Sequence, residues 1–311
     1  MRFGLVLPTL GRGADAEGLE AGADAAAQLG WSSVWVTDHL LVAPSEEATE
    51  YGWILEALTS LAWIGGRHPQ LRLGTSVVVP AMRDAPQLAK ELATIDHLSG
   101  GRLTVGVGVG DIRDAPEWAN LGKTERMSVR GAYLDETIAL WRHLWGGRAE
   151  PFHGRFHGLE QFVFEPVPPQ GERLPIWCGG RSERAMSRAA SLCDGYHASQ
   201  TGPDDLRQRL PFLVEHTRQL GRPRLTLSIR ARVRFGAPRL PAYSLCGTSR
   251  DMVTDLDAFD ELGVDELVVV LDAVTAEDVA AAAERFEGEV IQPWRERKRE
   301  RENALREQYS M

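Results

Sequence analysis

Residues Leu71 to Asp111, LRLGTSVVVPAMRDAPQLAKELATIDHLSGGRLTVGVGVGD, read as strand, bend, helix, strand and glycine-rich exit. The apolar run from Leu73 to Val79 ends at Pro80. A helix follows with Leu88, Leu92 and Ile95 on one face, the spacing of an amphipathic turn. A second apolar run, Leu103 to Val107, opens into Gly106, Gly108 and Gly110. Glycines at a strand exit let a backbone pass close to a flat ligand, because no Cβ stands in the way.

Outward from this segment, strand and helix signals alternate along the whole chain. Strands are expected at Phe3–Leu7, Ser33–Thr37, Leu71–Val79, Leu103–Val107, Pro175–Cys178, Gly195–Ala198, Leu225–Val233 and Glu266–Leu271. Helical patterns follow them, beginning near Ala16, Tyr51, Ala85, Glu125, Ser182, Pro203, Ser249 and Thr275. Several strands are near-continuous apolar runs, as expected where both faces are covered. AQLGWSSVWV (Ala27–Val36) and DELGVDELVVV (Asp260–Val270) each place a glycine after a helix, where a left-handed cap is needed. Eight such units specify a (β/α)8 TIM barrel with insertions after the strands; an open doubly wound sheet is the second architecture the pattern allows. The expected organisation is one catalytic domain over 1–290, with an insertion at about 151–169 and a charged tail over 291–311. The insertion, FHGRFHGLEQFVFEPVPP, looks like a hairpin, and Gly236 to Cys246 forms a second excursion; both are expected to cover an active site. The Arg- and Glu-rich tail from Trp294 to Gln308 reads as a solvated helix or frayed end.

Composition bounds the function. The chain has 311 residues, 43% of them hydrophobic, which is enough for a full core. A net charge of −9 disfavours nucleic acid as a partner. Cys178, Cys193 and Cys246, odd in number and scattered, argue against a disulfide framework and for a reduced compartment. No run approaches the roughly 18 apolar residues of a membrane helix, and Phe3 to Leu7 is too short for a signal peptide. A cytoplasmic protein with no membrane partner is expected.

Several constellations carry chemistry. Thr37-Asp38-His39 ends the second strand, where barrel enzymes present side chains to substrate. His39 there can serve as acid or base and Asp38 can orient or bind; equally, Asp38 can cap a turn and His39 fill a gap. Gly106-Val-Gly-Val-Gly-Asp111 lacks the third glycine of a dinucleotide fingerprint, since Asp111 stands in its place. Pro175-Ile-Trp-Cys-Gly179-Gly180-Arg181-Ser182 runs from a strand into a helix with small residues and an adjacent arginine, which makes a phosphate seat or a plain tight turn. His197-Ala198-Ser199 offers another rim contact. No metal site is expected: HExxH and paired CxxC are missing, and His153 and His157 sit in a glycine-broken segment. Trp31, Trp35, Trp141, Trp145 and Trp177 are expected to pack between helices and barrel.

Taken as a set, SVWVTDHL (Ser33–Leu40), the strand through Ser76–Val77, GVGVGD (Gly106–Asp111) and PIWCGGRSERAMSRAA (Pro175–Ala190) resemble the luciferase-like monooxygenase superfamily, over about residues 1 to 290. The likeness is greatest to its coenzyme F420-dependent oxidoreductases. The resemblance implies that His39 sits beside the reactive part of the cofactor, with Asp38 next to it. It implies a non-proline cis peptide at Ser76–Val77 backing the ring, and Gly108 and Gly110 at the fourth-strand exit. Asp111 falls where relatives acting on sugar phosphates carry a glutamate proton donor; it is shorter, and Val109 replaces a hydroxyl residue of some relatives. Gly179, Gly180, Arg181 and Ser182 match the turn that holds the cofactor's phosphate. The implied reaction is hydride transfer between reduced F420 and a small organic substrate. The alternatives are a reduced-FMN-dependent monooxygenase, served by a separate flavin reductase, and a flavin-binding barrel without turnover. By analogy the chain would form a homodimer through the helices beginning near Tyr51 and Ala85.

Overall fold

A computed structural model describes residues 1–11, 13–42, 52–239, 241–272 and 275–309. Eight parallel strands close on themselves: β1 (Arg2–Val6), β2 (Ser33–Val36), β3 (Arg72–Thr75), β4 (Leu103–Val107), β5 (Ile176–Gly179), β6 (Gly195–Ser199), β7 (Thr226–Phe235) and β8 (Glu266–Leu271). Closure comes from β8, which pairs with both β7 and β1, and from β6 pairing with β7. The architecture is the expected (β/α)8 barrel, not an open sheet.

The surrounding helices are α1 (Ala16–Gln28), α2 (Ala57–Arg67), α3 (Ala85–Leu98), α4 (Ala115–Asn120), α5 (Arg130–Trp145), α6 (Glu183–Leu192), α7 (Pro203–Gln219), α8 (Ser249–Glu261), α9 (Ala276–Phe286) and α10 (Gln292–Tyr309). Their starts are chemically marked. Asp15, Asp84, Ser182, Thr248 and Thr275 each accept a first-turn amide, satisfying a donor the helix itself leaves unpaired. The expected start near Tyr51 lies outside the described residues, and α2 begins at Ala57. The expected start near Glu125 is a 3-10 stretch, Thr124–Val129, that leads into α5. The short helix α4 was not anticipated.

Inside the barrel, alternate residues of each strand face the axis. Trp35 stacks on His197 (centroids 5.2 Å apart, planes 8° apart) and leans on Trp177 at 5.3 Å, filling the middle of the lumen. Trp141 and Trp145 instead lie between helices, donating to the carbonyls of Ala85 and Ala89 on α3, both at 3.0 Å. Trp35 and Trp177 are therefore lumen residues, whereas the sequence placed them between helices and barrel.

Three further expectations are corrected. The apolar run Leu71–Val79 is not one strand: the ladder stops at Thr75, the Ser76–Val77 peptide is cis as the resemblance implies, and Val78 rejoins β4 through a single bridge to Val107. The insertion does form a hairpin, Phe152–His153 against Gly158–Leu159, but it lies along α5. Glu136 of α5 accepts the amides of Arg155, Phe156 and His157, and His157 meets Thr137 at 3.0 Å. No residue of 151–169 lines the cleft described below. Lastly, the start of the tail is not solvated. Trp294 is buried against Phe3 (5.5 Å, edge to face), and Glu287 joins Trp31 to Arg295 at the closed end of the barrel.

Candidate active site

The C-terminal strand ends surround a cleft of about 310 Å3. Its wall is built from the ends of β2 (Thr37 to His39), the β3 bulge (Ser76, Val77), the β4 exit (Gly108 to Asp111), the β5 turn (Gly179 to Arg181) and Arg230 of β7. Ser182 stands one residue behind the wall. Its hydroxyl accepts from the Ala185 amide at 3.2 Å, so it serves the α6 N-terminus.

Asp38 and His39 are neighbours with opposite surroundings. Asp38 is buried and saturated: it accepts from the Val79 amide (3.1 Å) and from Arg83 through Nε (3.1 Å) and Nη2 (2.5 Å). Arg83 also reaches Glu56 at 2.6 Å. Burial alone would lower the Arg83 pKa, but these carboxylates outweigh it and raise it. A carboxylate so engaged is a brace for the β3 bulge, which answers the choice the sequence left open for it.

His39 keeps 28% of its side chain exposed and faces the cleft. Its Nδ1 lies 2.9 Å from Oε2 of Glu117, which is buried on α4. The other carboxylate oxygen accepts the amides of Leu40 (2.5 Å) and Leu41 (2.9 Å). The hydrogen bond to Glu117 raises the His39 pKa above its ordinary 6.5, against a smaller opposing effect of burial. Burial on its own would raise Glu117, but His39 and the two amides outweigh it and leave the carboxyl lowered. The pair thus favours the protonated ring, whose Nε2 is the nitrogen left for a ligand.

Across the cleft stands Val77, half-exposed, beside the buried Ser76. Ser76 Oγ lies 2.8 Å from His197 Nε2, and His197 Nδ1 lies 2.9 Å from Ser228 Oγ. Burial, aided by the charge of Arg230, pushes the His197 pKa down to about 3, so this imidazole is neutral. One serine donates to it and the other accepts from it. Of His197-Ala198-Ser199, only Ser199 lines the cleft; His197 is a buried tie between β3, β6 and β7. The β4 glycines also have a different reason from the expected one. A Cβ on Gly108 would meet Val77 Cγ2 at 2.6 Å, and one on Gly106 would strike the Thr75 carbonyl. They make room for the bulge that shapes the cleft.

The β5 turn is held from both sides. Tyr196 donates its hydroxyl to the Gly180 carbonyl (2.7 Å), and Arg209 donates to that of Arg181 (2.5 Å). Gly180 has φ +119°, and a Cβ there would lie 2.9 Å from Ala185. The Arg181 side chain is exposed. This turn at the start of α6 presents an electropositive end to the cleft, a fit for an anionic tail. Asp111 is a cap: it accepts from the Arg113 amide (2.9 Å) and side chain (2.7 Å). The Arg113 hydrogen bonds hold its carboxyl below the usual range, so it stays ionised and has no proton to give.

A sequence model of luciferase-like monooxygenases matches residues 1–307. The chain belongs to that family. It is 30% identical over 193 residues to a putative coenzyme F420-dependent oxidoreductase of Mycobacterium tuberculosis, covering 57% of this chain and 56% of that protein. It is 28% identical over 227 residues to an F420-dependent glucose-6-phosphate dehydrogenase of Kineococcus radiotolerans, covering 72% of this chain and 65% of the other. The match thus spans between about half and two thirds of the length of these curated relatives. In the fold, an F420-dependent secondary alcohol dehydrogenase, solved with an F420-acetone adduct, superposes with a TM-score of 0.77 at 18% identity, over 93% of this chain and 98% of that one.

Of the residues singled out by sequence, His39, Asp38, Ser76, Val77, Gly108, Gly110, Asp111, Gly179, Gly180 and Arg181 meet at one cleft. Sequence reasoning missed Glu117, Arg83 and Arg230. Glu117 lies 78 positions from His39, on a helix with no periodic signal, so no local pattern points to it. Among the described residues, the group that could hold a metal is Glu20, Asp24 and His68, on α1 and just past α2. None of the three lines the cleft, and Arg67 binds Glu20 at 2.7 Å.

Proposed function

We propose that the chain is an F420-dependent oxidoreductase acting on a small organic substrate at this cleft. The observation that carries the reading is the His39–Glu117 pair, which faces the same cleft as Val77 and the Gly179–Arg181 turn. Gly179, Gly180 and Arg181 would hold the cofactor's anionic tail, and Val77 would back its ring. When bound, the deazaflavin supplies or accepts the hydride. The protein's task is to orient the substrate and to manage the matching proton. His39 carries that proton at Nε2, while Glu117 fixes the ring through Nδ1 and favours its protonated form. Asp38 and Arg83 hold the strand ends, and Asp111 caps the loop without taking part. Family membership and the names of the relatives support the same assignment.

Titration with F420 and with FMN, each oxidised and reduced, tests it through quenching of tryptophan emission. F420 is expected to bind at least about tenfold more tightly than FMN. Gly180→Ala, which forces a Cβ toward Ala185, is expected to weaken F420 by about tenfold. Preference for FMN would replace this reading with a monooxygenase fed by a separate reductase. Binding of neither would remove it.

A further inference from the structure

Arg230 is charged, lies inside the barrel and has no acidic partner among the described residues. It extends from the inward face of β7 at the level of the cleft floor. A second cavity of about 150 Å3, beneath Pro8 to Leu10, adjoins the cleft, and Thr37 and Arg230 line both. The guanidinium therefore stands at the seam between them. Its Nη2 donates to Thr37 Oγ1 at 3.0 Å, and its buried Nε has no partner. Two other arginines differ. Arg83 has two carboxylates, Asp38 and Glu56; Arg232, two residues along the same face of β7, reaches Asp272 at 3.1 Å. Burial, then the like charge of Arg232, push the Arg230 pKa down to about 10, which still leaves it cationic near neutral pH. The side chain is half-buried, and a cation partly withdrawn from water without a counter-charge costs stability. Arrangements of that kind are found where a ligand brings the missing charge.

We propose that Arg230 receives an oxyanion, a carboxylate or a group of like shape, carried by the organic substrate, and thereby sets the substrate class. This deepens the oxidoreductase reading and rests on it. The planar fork of an arginine matches such a group with two parallel hydrogen bonds. Thr9 and Thr37 add hydroxyls beside it, and Val6 and Val270 supply an apolar side, so a small organic acid fits better than a bare ion. The seam adjoins the end of β2, two residues before His39, which brings the anchored substrate to the proton-carrying imidazole.

The test uses the full chain without cofactor, titrated calorimetrically with butyrate and with butyramide, which share a shape and differ in charge. Butyrate is expected to bind at least about tenfold more tightly. Arg230→Met should abolish that preference, Arg230→Lys should keep part of it, and Arg181→Ala should leave it intact. Arg230→Met should also raise the melting temperature by roughly 2–4 °C, because an uncompensated charge leaves the barrel. An equal affinity for the two probes, a preference that survives Arg230→Met, or a lowered melting temperature would overturn the proposal. So would an F420 affinity reduced about tenfold or more in Arg230→Met, which would assign the residue to the cofactor. If F420 fails to bind the wild-type chain at all, the oxidoreductase reading falls, while the butyrate comparison still decides what Arg230 recognises.

Discussion

Two histidines of this barrel, one at its mouth and one buried in its lumen, are driven toward opposite protonation states by what they touch. His39, at the end of β2, is partly exposed and bonded to a carboxylate, which raises its pKa. His197, on β6, is enclosed between two serines and the face of Trp35, and its pKa falls to about 3. Depth alone does not separate them, since His39 is also penalised by burial. The partner decides: an anion rewards the proton, a hydroxyl does not. The same sequence letter is a proton carrier in one place and a neutral strut in the other.

The pH dependence of stability should carry both signatures. The folded-state pKa of His39 is raised, so its contribution is complete below about pH 6.5 and is lost as pH rises through its own higher value. His197 is depressed, so its environment favours folding above about pH 6.5 and penalises it progressively as pH falls toward 3. Stability should therefore decline on both sides of about pH 6.5, and each decline should vanish with its own histidine.

The largest effect expected is from His39→Ala, which should lower kcat by roughly 100-fold or more while F420 affinity stays within about threefold. An equal loss in binding would make His39 a cofactor anchor instead. Glu117→Gln should lower kcat by about tenfold and move the His39 limb of the pH–rate profile to lower pH. A rate loss with an unmoved limb would reduce Glu117 to a support for the Leu40–Leu41 turn. His197→Leu should cost about 2–4 kcal/mol in denaturant unfolding, since the hydroxyls of Ser76 and Ser228 lose a buried partner. It should add no new limb to the rate profile. Asp111→Asn is expected to change kcat less than about threefold, because the group has no proton to lose in the neutral range. A larger loss would return the acid role to it.

The barrel was legible because its strands are buried on both faces and its helices open on Asp, Ser or Thr caps. The cleft's covalently local parts were legible as well: TDH at the end of β2 and the glycine pair at the end of β5. The cis bond at Ser76–Val77 came only with the family resemblance, since the residues themselves read as plain strand. What escaped was set by distant packing. Glu117 becomes visible only when α4 folds over β2. The insertion was misplaced because a single carboxylate, Glu136, ties it down along α5. β7 misleads in its own way. SIRARVRF alternates like a half-buried strand, which suggests its polar residues face solvent. Here Ser228, Arg230 and Arg232 face the lumen, and the apolar set packs against the helices.

Glu117 raises the proton affinity of His39 at the cleft, and the proton-transfer role rests on that coupling. Titration of the histidine ring signals by NMR, in the wild-type chain and in Glu117→Gln, reads that coupling. Expected are a His39 midpoint above the ordinary 6.5 that drops in the variant, and a His197 signal unchanged across the neutral range in both. A His39 midpoint at or below 6.5, or one indifferent to the loss of Glu117's charge, would contradict it.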